Sequence, residues 1–141
     1  MKIGITGAAG FIGMNLVESL LTSGHELVGI DSLNPAYGGN WSRLRSAHLK
    51  TKFDFNVKVL DISDCQLSDL TDAFSEAEVV VHLAAWPGVR QGQLLPALYS
   101  KNNVLGFSKM LEAMRALQPK HFLYASSSSI YGDLAQEGPV C

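Results

Sequence analysis

Three glycines, Gly7, Gly10 and Gly13, stand in the segment TGAAGFIG at residues 6–13, between a short apolar run and a stretch whose apolar residues fall at helical spacing. A chain that passes from strand to helix through such a turn has few folds open to it. Glycine at Gly7 permits a sharp reversal, at Gly10 it lets a pyrophosphate approach the backbone, and at Gly13 it lets the helix pack closely on the sheet. The helix then begins with N–H groups that have no partner inside it, which is a ready site for phosphate. Two residues separate the first two glycines, where the commonest dinucleotide fingerprint has one, so the triplet draws its meaning from its context.

That context is an acid. Asp31 closes the second apolar run 18 residues after Gly13, where a carboxylate accepts both ribose hydroxyls of an adenosine moiety. This favours NAD. A 2′-phosphate, as in NADP, needs a cation, and Ser32 and Leu33 offer none, which leaves Arg43 or Arg45 to fold back toward it.

Along the chain, strand and helix patterns alternate. Residues 2–6, 26–31, 53–60, 78–83 and 121–126 read as strands, and residues 11–22, 42–49, 64–74 and 98–117 as helices. Gly24 reads as the C′ residue of the first helix, Ser63 or Asp64 as the N-cap of the third, and Pro119 as the stop of the last. Such alternation predicts a doubly wound parallel sheet of Rossmann type, a three-layer α/β/α domain over residues 1–141 with strand order 3-2-1-4-5 and right-handed crossovers. A hydrophobic content of 47% suits a sheet covered on both faces. The long helix carries two apolar stripes, Val104, Phe107 and Leu111 on one and Met110, Met114 and Leu117 on the other, so one stripe is expected to meet the sheet and the other to stay uncovered. Residues 132–141 read as loop.

With 11 basic and 13 acidic residues spread along the chain, no basic stripe points to nucleic acid or anionic lipid. No run approaches the roughly 18 apolar residues of a membrane span, and none at the start has signal-peptide length. The two cysteines, Cys65 and Cys141, lack metal-ligand spacing, so a reducing cytoplasm is the expected setting and no metal is expected.

The spacing TGxxGxxG, with Asp31, LDISD at 60–64, HLAA at 82–85, KNNVLG at 101–106 and YASSSSIYGD at 124–133, resembles the extended short-chain dehydrogenase/reductases over the whole chain. Within that family, AAWPGVR and ASSSSIYG look most like UDP-glucuronate 4-epimerases, with UDP-glucose 4-epimerases as close relatives. The resemblance implies an NAD cofactor and a nucleotide-sugar substrate. It would place Phe11 and Ile12 along the pyrophosphate, Asp61 and Ile62 beside the adenine, and Leu83, Ala84 and Ala85 along the cofactor cleft. Asn102 would reach a cofactor ribose. Counted back from IYG, Ser127 takes the position of the family's catalytic serine or threonine, which hydrogen-bonds the sugar's 4-hydroxyl. Read from the residues alone, Gly7, Asp31, Asp61, Leu83 and Ser127 fall at strand ends, the address of ligands in open α/β sheets. His82 reads as a satisfied core residue and Trp86 as packing. Cys65 reads as inert, and Arg90 either as a partner for a uronate carboxylate or phosphate or as a solvated cation.

The family's chemistry is hydride removal from C4 of a nucleotide sugar, a 4-keto intermediate, and hydride return to the opposite face. Its base is the tyrosine of Tyr-x-x-x-Lys. Tyr37, Tyr99, Tyr124 and Tyr131 all lack a lysine four residues on, so this chain is expected to be an inactive N-terminal portion without the substrate lobe of a homodimeric enzyme. A 4,6-dehydratase would carry Asp and Glu directly after the catalytic residue, where Ser128 and Ser129 stand. Other dehydratases, reductases of the same family and a non-catalytic NAD-sensing or scaffold domain remain the alternatives.

Overall fold

The structure, a computed structural model, describes residues 1–35, 40–127 and 130–131. The expectations for Tyr37, for Ser128 and Ser129 and for the loop at 132–141 with Cys141 lie outside the described residues. Five strands form one parallel sheet in the order β3-β2-β1-β4-β5: β1 Lys2–Thr6, β2 Glu26–Asp31, β3 Val57–Val59, β4 Val79–His82 and β5 His121–Tyr124. This is the expected doubly wound order.

Side-chain alternation along β1 divides the core. Ile3 and Ile5 point to one face, where they meet Val17 of α1 (Phe11–Thr22), Leu49 of α2 (Trp41–Phe53) and Phe55. The opposite face is filled by Ile30, Val80, Leu70 and Phe74 of α3 (Leu67–Phe74), and Met110 and Met114 of α6 (Gly106–Leu117). Gly4 lets Phe74 lie flat on the sheet, since a Cβ there would stand 2.5 Å from the ring. Fully burying each of these side chains contributes about 1.5–3 kcal/mol, which is why a chain with so much apolar content settles into two covered faces.

Several boundaries differ from expectation. α2 runs on to Phe53, because Asp54 takes the left-handed conformation (φ +53) and its N–H bonds back to Lys50 O. That helix end consumes the start of the expected third strand, leaving Val57–Val59. α3 begins at Leu67, not near Asp64, since residues 61–65 form a turn and the capping box is Gln66 with Asp69. The long helix starts two residues early and runs from Pro96 to Leu117 as α5 (Pro96–Tyr99), a π-helical turn, Ser100–Leu105, and α6, with helical backbone at both junctions; a short helix, α4 (Val89–Leu94), precedes it. Pro96 at the start of α5 has no N–H to continue α4.

The two stripes separate only partly as expected. Met110 and Met114 are buried and Leu117 packs beside them, and Val104 of the π turn is 64% and Leu111 46% exposed. Phe107, expected on the uncovered stripe, is instead half-buried against the rings of His82, Phe122 and Tyr124. On the opposite face of the sheet Leu123 of β5 is 52% exposed. Among the described residues no helix covers β5 on the side of α1 and α2. Monomeric proteins seldom leave contiguous apolar patches above a few hundred Å². The chain on its own is therefore expected to self-associate at micromolar concentration in sedimentation velocity; a single monomeric species that binds no hydrophobic dye would show these surfaces to be covered.

Candidate functional site

The β1–α1 turn is built around one carbonyl. Gly7 reverses the chain at φ +69, and its O accepts the Gly10 N–H at 2.9 Å. A Cβ on Gly13 would stand 2.0 Å from the same oxygen, so α1 rests directly on the turn. Gly10, the N-cap, brings no side-chain cap, and the first turn of α1 holds no acid. The helix thus presents bare N–H groups and the positive end of its dipole. Phe11 and Ile12, 73% and 65% exposed, begin the helix as two apolar residues without cover.

These residues line one end of a cleft of about 620 Å³ across the carboxyl ends of the strands, a volume within the ordinary range of ligand sites. Asp31 lies within it. Its Oδ2 accepts the Ala9 N–H at 3.0 Å and its Oδ1 the Leu33 N–H at 2.8 Å. Burial raises its pKa above the ordinary carboxylate value, while the Leu33 and Ala9 N–H groups and the nearby Arg45 charge oppose the shift. Leu33 is held at φ +50, a left-handed conformation unusual outside glycine, which turns the chain over the carboxylate.

The next wall is the turn after β3. Asp61 Oδ1 accepts both the Ser63 N–H, at 2.9 Å, and its hydroxyl, at 2.7 Å, and Ile62 is buried beside it. From α6, Lys109 Nζ donates to the carbonyls of Ser63 and Cys65, both at 2.8 Å, and ties this turn down. The Cys65 thiol is pushed up by burial, which agrees with an inert residue.

At the end of β4, Leu83, Ala84, Ala85 and Trp86 line the cleft. Their path is set by Thr6, which is fully buried. Its hydroxyl oxygen accepts the Leu83 and Ala84 N–H groups at 3.2 and 3.1 Å, so its own proton goes to His82 Nδ1 at 2.8 Å. His82 is therefore neutral with its proton on Nε2, and burial lowers its pKa to about 4. It is the buried, hydrogen-bonded histidine that the sequence suggested, tilted against the rings of Phe107 and Phe122, and it lies at the cleft's floor.

The π turn delivers two asparagines. Asn102, bonded through Nδ2 to Leu98 O, reaches the cleft, while Asn103 clamps the Trp86 peptide from both sides: Oδ1 accepts its N–H at 2.7 Å and Nδ2 donates to its O at 2.9 Å. Such single π turns occur often at functional sites. Trp86 is half-buried against the edge of Tyr99.

The structure thus gathers Gly7, Gly10, Phe11, Ile12, Gly13, Asp31, Asp61, Ile62, Leu83, Ala84, Ala85 and Asn102 around one cleft. Ser127 lies exposed two residues beyond Ala125, which lines the cleft, and its carbonyl accepts the Ile130 N–H at 3.1 Å. Arg90 sits exposed on α4 and is not among the lining residues. Sequence reading missed Asn103 and Thr6, whose roles are to hold backbone. It also missed Trp41 and Ser42, which line the cleft with Arg45 from one face of α2. Their offsets of four and three residues from Arg45 were the available signal.

A parallel sheet with a glycine turn opening its first helix, a carboxylate ending its second strand and a cleft across the strand ends defines a dinucleotide-binding α/β domain. The comparisons agree. The chain belongs to the NAD dependent epimerase/dehydratase family, which it matches over residues 3–140. It is 39% identical over 132 residues to a probable UDP-glucuronate 4-epimerase of Rhizobium meliloti, covering 94% of this chain and 39% of that protein. The crystal structure of UDP-glucuronic acid 4-epimerase from Bacillus cereus in complex with UDP-glucuronic acid and NAD superimposes with a TM-score of 0.81 at 36% identity, over 100% of this chain and 44% of that one. A dTDP-glucose 4,6-dehydratase from Streptomyces venezuelae, with NAD bound, superimposes at 0.80 and 26% identity over 95% of this chain and 42% of that one. The chain spans about two fifths of the length of the curated relatives it matches.

Among the described residues, no helix is long and apolar enough to cross a membrane, and no group of three or more metal-ligating side chains occurs.

Proposed function

We propose that this chain is the NAD-binding portion of a nucleotide-sugar 4-epimerase that acts on a UDP-sugar, with UDP-glucuronate favoured, through a transient 4-keto sugar. The observation that carries the reading is the cleft itself. Bare helix N–H groups stand at one end, and a carboxylate oriented by two backbone N–H bonds stands at the next strand end. The likeness to 4-epimerases at 35–40% identity gives the sugar chemistry its direction.

The residues fit a dinucleotide. The first turn of α1, with Phe11 and Ile12, would hold the pyrophosphate, Asp31 the adenosine ribose, Asp61 and Ile62 the adenine, and Asn102 would reach a cofactor ribose. Leu83, Ala84 and Ala85 would form the wall beside the nicotinamide half. Bound there, NAD supplies the hydride acceptor and donor. Ser127 would orient the sugar's 4-hydroxyl, and Arg90 would meet an anionic group of the substrate from outside the cleft wall.

Asp31→Ala is expected to weaken NAD binding by about 1 to 3 kcal/mol, roughly fivefold to 150-fold, because a charged acceptor is lost. Isothermal titration of both forms checks this, and equal affinities would remove Asp31 from the site.

A further inference from the structure

Lys2, Lys50, Lys52, Lys101 and Lys120 each meet a carboxylate. Lys109 is bound differently: half-buried on α6, its Nζ donates to two neutral carbonyls, those of Ser63 and Cys65, both at 2.8 Å. An ammonium gives up hydration to make such bonds, and the turn they grip is the wall of the cleft after β3. Ser63 is the link between that grip and the cleft. While its carbonyl accepts from Lys109, its N–H and hydroxyl both donate to Asp61 Oδ1, at 2.9 and 2.7 Å. Asp61 lines the cleft, and its other oxygen, Oδ2, makes no hydrogen bond among the described residues. The turn is closed by the Asp61 carbonyl, which accepts the Asp64 and Cys65 N–H groups at 3.1 and 2.9 Å. α6 also backs Ile62, through the cluster that contains Met110 and at Gly106, where a Cβ would stand 3.8 Å from Ile62 Cγ2.

We propose that Lys109 is a positioning residue for base recognition: its grip on the Ser63 and Cys65 carbonyls fixes Asp61, through Ser63, so that the cleft tells an amino-bearing base from one without the amino group. The inference rests on the reading of the cleft as an NAD site with Asp61 beside the adenine. An ionised carboxylate only accepts, so Oδ2 takes a hydrogen bond from the exocyclic amino group of adenine and repels the carbonyl oxygen that replaces it in hypoxanthine. Hydrogen bonds weaken steeply as distance and angle depart from ideal, so the discrimination is only as sharp as the acceptor is firmly held. With Lys109 in place Asp61 cannot follow the base. Once the Ser63 carbonyl is released, the Asp61–Ser63 unit can shift and reach the ring N–H that hypoxanthine carries next to its carbonyl, and the preference is lost.

Titration calorimetry of the chain with NAD and with nicotinamide hypoxanthine dinucleotide tests this in three forms: wild type, Lys109→Met and Lys109→Arg. Wild type is expected to favour NAD by about tenfold or more, the effect of one hydrogen bond to a charged acceptor. Lys109→Met should narrow that ratio to about twofold, chiefly by weakening NAD. Lys109→Arg keeps the charge and donors for both carbonyls, and should retain most of the preference. The ratio separates positioning from mere stabilisation: an equal loss of affinity for both dinucleotides in Lys109→Met, or no loss at all, overturns the proposal. A collapse of the ratio in Lys109→Arg as complete as in Lys109→Met also overturns it. Should Lys109→Met fail to fold, Lys109→Gln decides by the same ratio, which must fall several-fold. A wild-type chain that binds both dinucleotides alike removes Asp61 from base recognition and the proposal with it. One that binds neither would instead defeat the reading of the cleft as an NAD site.

Discussion

Replacing Gly13 by alanine is expected to destabilise the chain by about 3 kcal/mol and to abolish dinucleotide binding. The added Cβ would stand 2.0 Å from the Gly7 carbonyl oxygen, 2.9 Å from its carbon and 3.0 Å from the Ala8 Cα, all backbone atoms without rotamers to yield. Relief requires α1 to recede from the turn by more than about 1 Å, and close-packed interiors resist such shifts. The same movement pulls the bare N–H groups of α1 away from the position they hold over the cleft. Gly106→Ala is the matched control. A Cβ there meets nothing nearer than 3.8 Å on a helical backbone, so it should be neutral or stabilise by about 0.4–1 kcal/mol. Urea denaturation and NAD titration of both variants check the contrast, and equal midpoints would mean that α1 does not rest on Gly7.

Acidification is expected to remove about 3 kcal/mol of stability through His82 alone between pH 6.5 and pH 4. In the unfolded chain this imidazole takes a proton at its ordinary value of 6.5, whereas burial holds the folded one neutral down to about 4. Within that window the unfolded state binds the extra proton, so stability is complete above pH 6.5 and falls by about 1.4 kcal/mol per pH unit as the pH drops. Asp31 acts in the opposite sense. Its raised pKa means that the folded state takes up a proton before the unfolded one, which adds some stability as the pH falls toward the ordinary carboxylate range. The two are separated by His82→Gln, whose side-chain oxygen can still accept the Thr6 hydroxyl proton. The variant should be less stable than wild type at pH 7, and the difference should shrink by about 3 kcal/mol by pH 4. Denaturant unfolding at a series of pH values measures it; parallel profiles would mean that His82 is not buried in its neutral form.

The order of the strands, the position of the cleft and most of its wall were legible in the residues. Gly7, Gly13 and Asp31 are recognisable because each serves a backbone or charge requirement set by its immediate neighbours: the reversal at φ +69, the contact of α1 on the turn, and the end of β2. Alternating helix and strand periodicity then leaves few sheet orders, since right-handed crossovers exclude the rest. The buried stripe of Met110, Met114 and Leu117 was likewise readable, because helical periodicity reports which faces a helix can bury, whereas Phe107 of the other stripe turns onto the rings of His82 and Phe122.

Other features were decided only when the chain closed on itself. The π turn inside the long helix leaves no composition signal, because Asn103 takes its place from the Trp86 backbone it clamps 17 residues away. Thr6 looks like any strand residue until β4 lies beside it and supplies two N–H groups and an imidazole. The short β3 follows from Asp54 turning left-handed under a helix end that propensity alone does not place. Arg45 is one cation among 11 basic residues in the sequence. The packing of α2 on α1 and the hydrogen bond to Ala9 set it beside Asp31, since periodicity can say which residues share a face but only tertiary contact says what that face meets.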